Sequence, residues 1–404
     1  MLPHWPQTQT PLIPQTHIPL PSAPIGLYIH IPFCRKACHY CDFYFSVRHS
    51  LMEDFTHALL EEIHTWEPWL LSQPVRTVYF GGGTPSWLRP HLLEKILTTL
   101  PKHTAWHPVE VTLEANPEDI TPANLAFWKD LGINRLSLGV QSLSDEILQL
   151  LGRKASATLT RKAIEQIRAS GWTNWSVDVI FAVPGQTIQD IVNDLHYLVN
   201  EIQVPHISLY GLTIEPRTVL YKKHLQGRFE SMDDEEYAKM YLFIHDFLEA
   251  YGYDHYEVSN WAKSDFYSRH NLIYWEGGPY IGLGPSAHSY IFPYRWWNQS
   301  DLRGYVAYFG KKQRASLQVE GEHLSESAAL LEWFMLRFRL SREISWAEFP
   351  LREESMRAFQ ERMEAWVERG WVEGTGGGMR MLPLGWLWLN AILREVGALI
   401  SYAG

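Results

Sequence analysis

The sequence predicts an α/β fold: a partial, six-unit parallel β/α barrel with a small helix-rich C-terminal domain. Three observations point there. Six short β-branched or aromatic runs recur between residues 26 and 212, with longer amphipathic stretches between them. This alternation implies a parallel sheet with helices outside, joined by right-handed crossovers. Six units also fall short of a complete barrel, which takes eight and about 250 residues. Finally, five of the runs end in Cys-, Gly- or polar-rich segments, and such folds gather their chemistry at the carboxyl ends of their strands.

Each element can be justified in order. Residues 1–25 hold seven prolines and no charged side chain other than His, so this extension is expected to be extended or disordered and outside any core. Strands are expected at "GLYIHI" (26–31), "RTVYFGG" (76–82), "EVTLEA" (110–115), "RLSLGV" (135–140), "WSVDVIFAV" (175–183) and "HISLYGL" (206–212). Apolar residues at three- and four-residue spacing predict helices over 51–66 and 157–171. The barrel is thus expected to span 26–260. Residues 261–299 read as a connecting region that carries "HNLIYW" and a Gly-rich segment. Residues 300–404 read as a helix-rich, winged-helix-like domain, with a small hairpin in "GWVEGTGGGMRML" (370–382). Acidic residues around 352–373 favour a packing or partner role for that domain over DNA binding.

With 46% hydrophobic and 14% aromatic residues in a chain of 404, a substantial core is available. A formal charge of −10 argues against a general nucleic-acid binder. No run of eighteen apolar residues and no basic-then-apolar leader is present, and three clustered cysteines make no disulfide framework. A cytoplasmic protein without a transmembrane segment is expected.

The cysteines are Cys34, Cys38 and Cys41, all within "FCRKACHYCDF" (33–43). A redox pair of Cys38 and Cys41 would need a helix to start directly after a strand, and leaves Cys34 idle. A Cys₃His zinc site through His30 or His39 is chemically possible, though zinc ligands usually come as two separated pairs. A cubane iron–sulfur cluster held by three thiolates would keep one iron open to chelate a small molecule. On that third reading, three ligands are a complete set.

Cys34-x₃-Cys38-x₂-Cys41, with Tyr40 as the aromatic between the last two, resembles the signature of the radical S-adenosylmethionine (SAM) superfamily. The resemblance implies a [4Fe–4S] cluster whose open iron takes the methionine moiety of SAM, and whose electron cleaves the sulfonium to a 5′-deoxyadenosyl radical. It also implies roles along the strand ends. Gly82, Gly83 and Thr84 in "GGGTP" resemble the loop that holds the methionine amino group, where a plain flexible turn is the alternative. Glu114, Gln141, Arg153 and Asp178 match further SAM-contact positions, where solvated or ion-paired surface residues are the alternative, and Tyr28 and Tyr40 match positions close to SAM.

The likeness extends over nearly the whole ordered chain to the oxygen-independent coproporphyrinogen III oxidase-like branch: "YIHIPFC", "YFGGGTPS", "LEANPED", "LSLGVQS", "VPGQT", "YEVSNWA", "HNLIYW" and "GLGPSAHS". True oxidases carry another cysteine two residues after the third; this chain has Asp42-Phe43 there. "CDF" and "HNLIYW" instead resemble the HemW-type haem chaperones. That resemblance implies haem binding through His270, Asn271, Tyr274 and Trp275, and a protein without coproporphyrinogen III oxidase activity. It further implies a haem-acceptor protein and an electron donor, neither identified by the sequence. A neutral imidazole is a good iron ligand, and Tyr and Trp can pack on a porphyrin face. The alternative within the branch is the oxidase or a related tetrapyrrole-modifying enzyme. Lys154-Ala155 replaces a histidine common in relatives, Arg217 stands where they often have glycine, and the proline-rich head has no counterpart.

Overall fold

The computed structural model describes residues 12–14, 19–310 and 318–402. Two compact units emerge, and neither is one continuous stretch. The first takes residues up to 35, 43–113 and 278–325; the second takes 36–42, 114–277 and 326 onward.

In the first unit, strand β1 (Ile25–Ile31) is buried at every residue but Tyr28, as a parallel strand covered on both faces must be. It pairs in parallel with β2 (Pro74–Gly82), which pairs in parallel with β3 (Ala105–Ala115). Helix α1 (Met52–Thr65) buries Met52, Phe55, Ala58, Leu59, Glu62 and Ile63 at helical spacing. A four-residue helix α2 (Glu67–Leu70) and helix α3 (Pro90–Thr99) complete the crossovers. On the other side of β1 the sheet continues. Tyr280–Leu283 runs parallel to β1, and His288–Ile291, Tyr294–Trp297 and Gln318–His323 follow antiparallel.

Part of the segment expected to connect, 261–299, is therefore sheet. Its strands are four residues long, too short for the period-2 pattern to stand out. Leu12–Pro14 adds an edge strand to Gln318–His323. The expectation for residues 1–11 and 15–18 lies outside the described residues.

In the second unit, β4 (Arg135–Gln141), β5 (Trp175–Phe181) and β6 (His206–Gly211) pair in parallel in chain order. Helix α4 (Pro122–Asp130) leads into β4, and α5 (Asp145–Leu150), α6 (Ala157–Ala169) and α7 (Ile188–His196) lie between the strands in sequence. Their starts are chemically marked. Thr121, Ser144 and Ser156 cap α4, α5 and α6, and Thr187 with Asp190 forms a capping box on α7. After β6 come α8 (Val219–Leu225) and α9 (Asp234–Ala250), then an antiparallel hairpin of Asp254–Glu257 and Asn260–Ala262 on the β6 edge.

The C-terminal part is helix-rich. Glu326–Arg337, Glu353–Glu368, Pro383–Leu387 and Leu389–Tyr402 accompany a three-stranded antiparallel sheet that includes the hairpin Val372–Gly374 and Gly378–Met381. Phe334, Phe338, Phe349, Phe359 and Trp366 pack together there, edge to face in the Phe334–Phe338 and Phe359–Trp366 pairs and tilted in the others. Many tryptophans are packing residues, and Trp66, Trp261, Trp296 and Trp366 are almost wholly buried. Among the described residues, no helix is long and apolar enough to cross a membrane.

One buried carboxyl ties the first unit together. Glu62 Oε2 accepts from the Gly284 N–H at 2.7 Å and the Tyr305 hydroxyl at 2.6 Å, and Oε1 accepts from Asn298 Nδ2 at 2.6 Å. Burial pushes its pKa up to about 7, although all three hydrogen bonds oppose the rise. A carboxyl whose folded value lies above its unfolded value contributes stability that is full below the ordinary carboxylate range. That contribution is lost as pH rises through about 7. The full span corresponds to about 3 kcal/mol. Thermal midpoints measured from about pH 5.5 to about pH 8.5 should fall across neutrality, and Glu62→Gln should flatten that dependence. An equal slope in both proteins would refute this role for Glu62.

Candidate functional site

In the first unit the end of β1 carries Cys34, and the end of β2 carries the glycine loop. The two are stitched backbone to backbone. Gly83 N–H donates to the Ile31 carbonyl at 2.9 Å, and Thr84 N–H donates to the Phe33 carbonyl at 2.8 Å. This closeness explains the glycines. Gly82 has φ +110°, and a Cβ there would meet the His30 ring at 2.6 Å. At Gly83 a Cβ would stand 2.7 Å from the Phe33 carbonyl oxygen. The loop's lack of side chains is thus already required by contact with its own chain. Thr84, buried, donates its hydroxyl to Cys34 Sγ at 3.7 Å, and Cys34 N–H donates to the Ser46 carbonyl at 3.1 Å.

His30 spends both ring nitrogens locally. Burial lowers its pKa to about 4, so the ring is neutral. Nε2 lies 2.9 Å from the Tyr44 carbonyl and therefore carries the proton, which leaves Nδ1 to accept from the Tyr28 hydroxyl at 3.1 Å. Tyr28 in turn stacks on Tyr79. A zinc role for His30 would break whichever of these hydrogen bonds lies on the ligating nitrogen.

In the second unit, Cys38, Tyr40 and Cys41 lie on an irregular segment with no helix starting at either cysteine, which removes the setting of a helix-activated redox pair. His39 anchors this segment: its N–H donates to the Leu151 carbonyl at 2.9 Å, and Nδ1 to the Leu150 carbonyl at 2.8 Å. Gly152, at φ +73°, makes room for the ring, because a Cβ there would meet it at 2.6 Å. Tyr40 packs against Ile147, Leu151, Ile180 and Val183. Removal from water, opposed by Arg153 and aided by Cys38 and Cys41, drives its hydroxyl pKa up.

Arg153 is a clamp with several partners. Nη1 donates to Cys38 Sγ at 3.6 Å, and Nη2 donates to Asn116 Oδ1 at 2.7 Å and the Gly139 carbonyl at 2.9 Å. Burial alone would lower its pKa; the pull of Tyr40 and Cys38 raises it instead, so the guanidinium stays charged beside sulfur. Gln141, buried at φ +65°, sits at a register shift in the β4–β5 pairing. Ser137 Oγ donates to both oxygens of Asp178 at 3.1 and 3.0 Å, and Ser176 Oγ donates to Ser137 Oγ at 3.0 Å. Burial raises the Asp178 pKa against these hydrogen bonds. Glu114 lies half-buried at the end of β3. Asn116 and Ser137, the partners of Arg153 and Asp178, were not among the expected residues, although Asn116 stands in plain view within "LEANPED".

The "HNLIYW" segment forms helix α10 (Arg269–Trp275), capped by Ser268. His270 is buried, and burial lowers its pKa to about 3, so the imidazole is neutral. Its Nε2 lies 2.7 Å from the Tyr274 hydroxyl one turn on. Asn271, Tyr274 and Trp275 are half-buried, and the Arg339 guanidinium lies over the Trp275 ring, 5.2 Å from its centroid.

Comparison with known proteins gives a consistent result. The family model described as the radical SAM superfamily matches residues 28–198. A Synechocystis sp. protein named "Heme chaperone HemW" is 36% identical over 368 residues, covering 89% of this chain and 89% of its own. A Lactococcus lactis subsp. lactis protein of the same name is 33% identical, covering 78% and 82%. Among solved structures, the coproporphyrinogen III oxidase HemN from Escherichia coli, titled a radical SAM enzyme, is similar with a TM-score of 0.77. It is 20% identical and covers 93% of this chain and 90% of that one. That likeness shows the fold: α/β, with six parallel strand–helix units in a partial barrel and a helix-rich C-terminal region.

The stitched loop supplies a test that needs no ligand. Gly83→Ala would drive a methyl into backbone and should cost about 1–3 kcal/mol. Gly310→Ala, where a Cβ meets nothing within 4 Å, should stay within about 0.5 kcal/mol of the parent. Chemical denaturation of the two variants checks this, and equal stabilities would contradict the steric account.

Proposed function

The chain belongs to the HemW-type haem chaperone family within the radical SAM superfamily, and on that premise we propose that it binds haem, holds a SAM-ligated [4Fe–4S] cluster and passes haem to an acceptor protein. The observation that carries the reading is the donor set at the cysteines. Cys34, Cys38 and Cys41 stand as half-buried thiols within eight residues, and Thr84 and Arg153 each donate to one of their sulfurs. Thiolates suit iron–sulfur clusters, and hydrogen bonds to sulfur tune their potentials. When bound, such a cluster supplies a single electron to the ligand held on its open iron.

The chain's own residues then take these parts. The three cysteines ligate. Gly82, Gly83 and Thr84 present backbone to the SAM amino group, and Arg153 sets the charge beside Cys38. Tyr28, Tyr40, Glu114, Gln141 and Asp178 line the remaining polar contacts with SAM. In the haem role His270 would hold the iron, with Asn271, Tyr274 and Trp275 beside it in the same helix. Its neutrality at physiological pH is the state that iron ligation requires. Ligation through Nε2 also requires the Tyr274 hydroxyl to give way. The Asp42-Phe43 pair, where oxidases carry a further cysteine, supports delivery over decarboxylation.

Anaerobic reconstitution should give about four iron and four sulfide per chain. Haem titration should give a saturable Soret change, and coproporphyrinogen III should not be decarboxylated in the presence of SAM and a reductant. Decarboxylation would replace the chaperone reading with the oxidase.

The ligand assignment has its own test. His270→Ala should weaken haem binding by at least about tenfold, and Tyr274→Phe, which releases Nε2, should strengthen it. Unchanged binding in His270→Ala would remove that residue from the haem site.

A further inference from the structure

A second cluster of metal-ligating side chains lies in the first unit, away from the cysteines. Helix α1 starts beyond the carboxyl end of β1 and ends at Thr65, before β2 begins at Pro74. His64 sits in its last turn, and Glu67 opens α2. His103 closes the turn Leu100–Lys102 that leads into β3 at Ala105. All three therefore gather at the amino ends of the parallel strands, whereas Cys34 follows the carboxyl end of β1.

We propose that His64, Glu67 and His103 form a binding site for a borderline divalent metal ion of the Zn²⁺ class. His64 Nδ1 lies 3.2 Å from Glu67 Oε2, and His103 Nδ1 lies 3.1 Å from Glu67 Oε1. One ligand atom from each residue can be chosen so that all lie within 4.8 Å of one another. In a tetrahedral site with bonds of about 2.0–2.1 Å, neighbouring ligand atoms stand about 3.3–3.4 Å apart. Both nitrogen–oxygen separations are close to that edge, but each runs to a different Glu67 oxygen, so binding through one oxygen needs the half-buried carboxylate to rotate and the 4.8 Å spread to close. The remaining adjustment falls to His64, whose side chain is 53% exposed and can turn without repacking the core.

The contact is not an ordinary pair of hydrogen bonds. His103 Nδ1 is buried and makes no hydrogen bond, although the Glu67 oxygen is near. An imidazole nitrogen in that position carries a desolvation cost that an ion would remove. On the same unit, His91 and Glu53 show the contrasting case, an exposed pair at 3.0 Å with hydrogen-bond geometry. Two imidazoles and one carboxylate suit zinc, cobalt or nickel, and would leave a fourth position to water.

The ion would join the end of α1, the start of α2 and the turn before β3. These segments meet beside Trp66, which lies between His64 and Glu67 in sequence and stacks on Trp296. The consequence is a metal-dependent staple on the face of the unit opposite the cysteine-bearing strand ends.

The test uses tag-free, cluster-loaded protein under anaerobic conditions, dialysed against zinc-buffered solution and then analysed for zinc and iron. The expected result is about one zinc per chain with unchanged iron, and a thermal midpoint raised relative to the same protein in a chelator. The His64→Ala/His103→Ala variant should lose that zinc. Glu67→Gln, which keeps the side chain's size and so serves if the double variant folds poorly, should weaken zinc binding by about tenfold or more. Zinc retained by Glu67→Gln at the parent's affinity would overturn the site. So would iron lost in step with zinc uptake, because the cysteines would then be the binding groups.

Discussion

The approach of the β2 loop to the backbone after β1 is the constraint on which the cysteine-bearing end of the first unit depends. Two main-chain hydrogen bonds, from Gly83 and Thr84, fasten the loop to Ile31 and Phe33. They form only because neither glycine carries a Cβ; at both positions it would fall under 3 Å from an existing atom. Once the loop is down, Thr84 is buried with its hydroxyl on Cys34 Sγ. The same approach presses His30 against Gly82 and fixes its tautomer between Tyr28 and Tyr44. The placement of one thiol, one buried imidazole and one tyrosine thus follows from a single steric permission.

The second unit solves the equivalent problem with charge. Cys38 and Tyr40 lie on a segment with no regular structure, so backbone ladders cannot hold them. Arg153 does so by spending its guanidinium on a thiol, an amide and a carbonyl at once. A planar donor fork can satisfy all three; a lysine ammonium could not span them. Its burial would be costly without such partners, which is why removal of any one acceptor matters more here than at the exposed ion pairs.

How much of this was legible follows from the range of each interaction. The six strands were visible because parallel strands buried on both faces leave continuous apolar runs such as "RLSLGV". The cysteine and glycine loops were visible because their residue types are rare and clustered. The short strands from Tyr280 to Trp297 were not, since four residues carry too little pattern and their burial comes from pairing. Arg153 was found, but not its contact with Asn116, 37 residues away in sequence. Glu62 read as an ordinary polar position of an amphipathic helix, and nothing nearby announces its partners more than 200 residues on. His64 and Glu67 do show a helix-face spacing of three, yet His103 joins them only through the fold.

Arg217, which stands where relatives often have glycine, is a neighbour of Asp42 in the cysteine segment. Arg217 adopts φ +74°, the backbone region that the glycine of relatives occupies without strain, and its Nη2 lies 3.3 Å from Asp42 Oδ1. The guanidinium is 84% exposed, so the pair contributes at most about 1 kcal/mol and cannot be what fixes the cysteine loop. That work is done by His39, Tyr40 and Arg153. Phe43 stands two residues after Cys41, the position where the oxidases carry a further cysteine, and its side chain is exposed. The Asp42–Arg217 pair therefore neither holds the loop nor bears on that position.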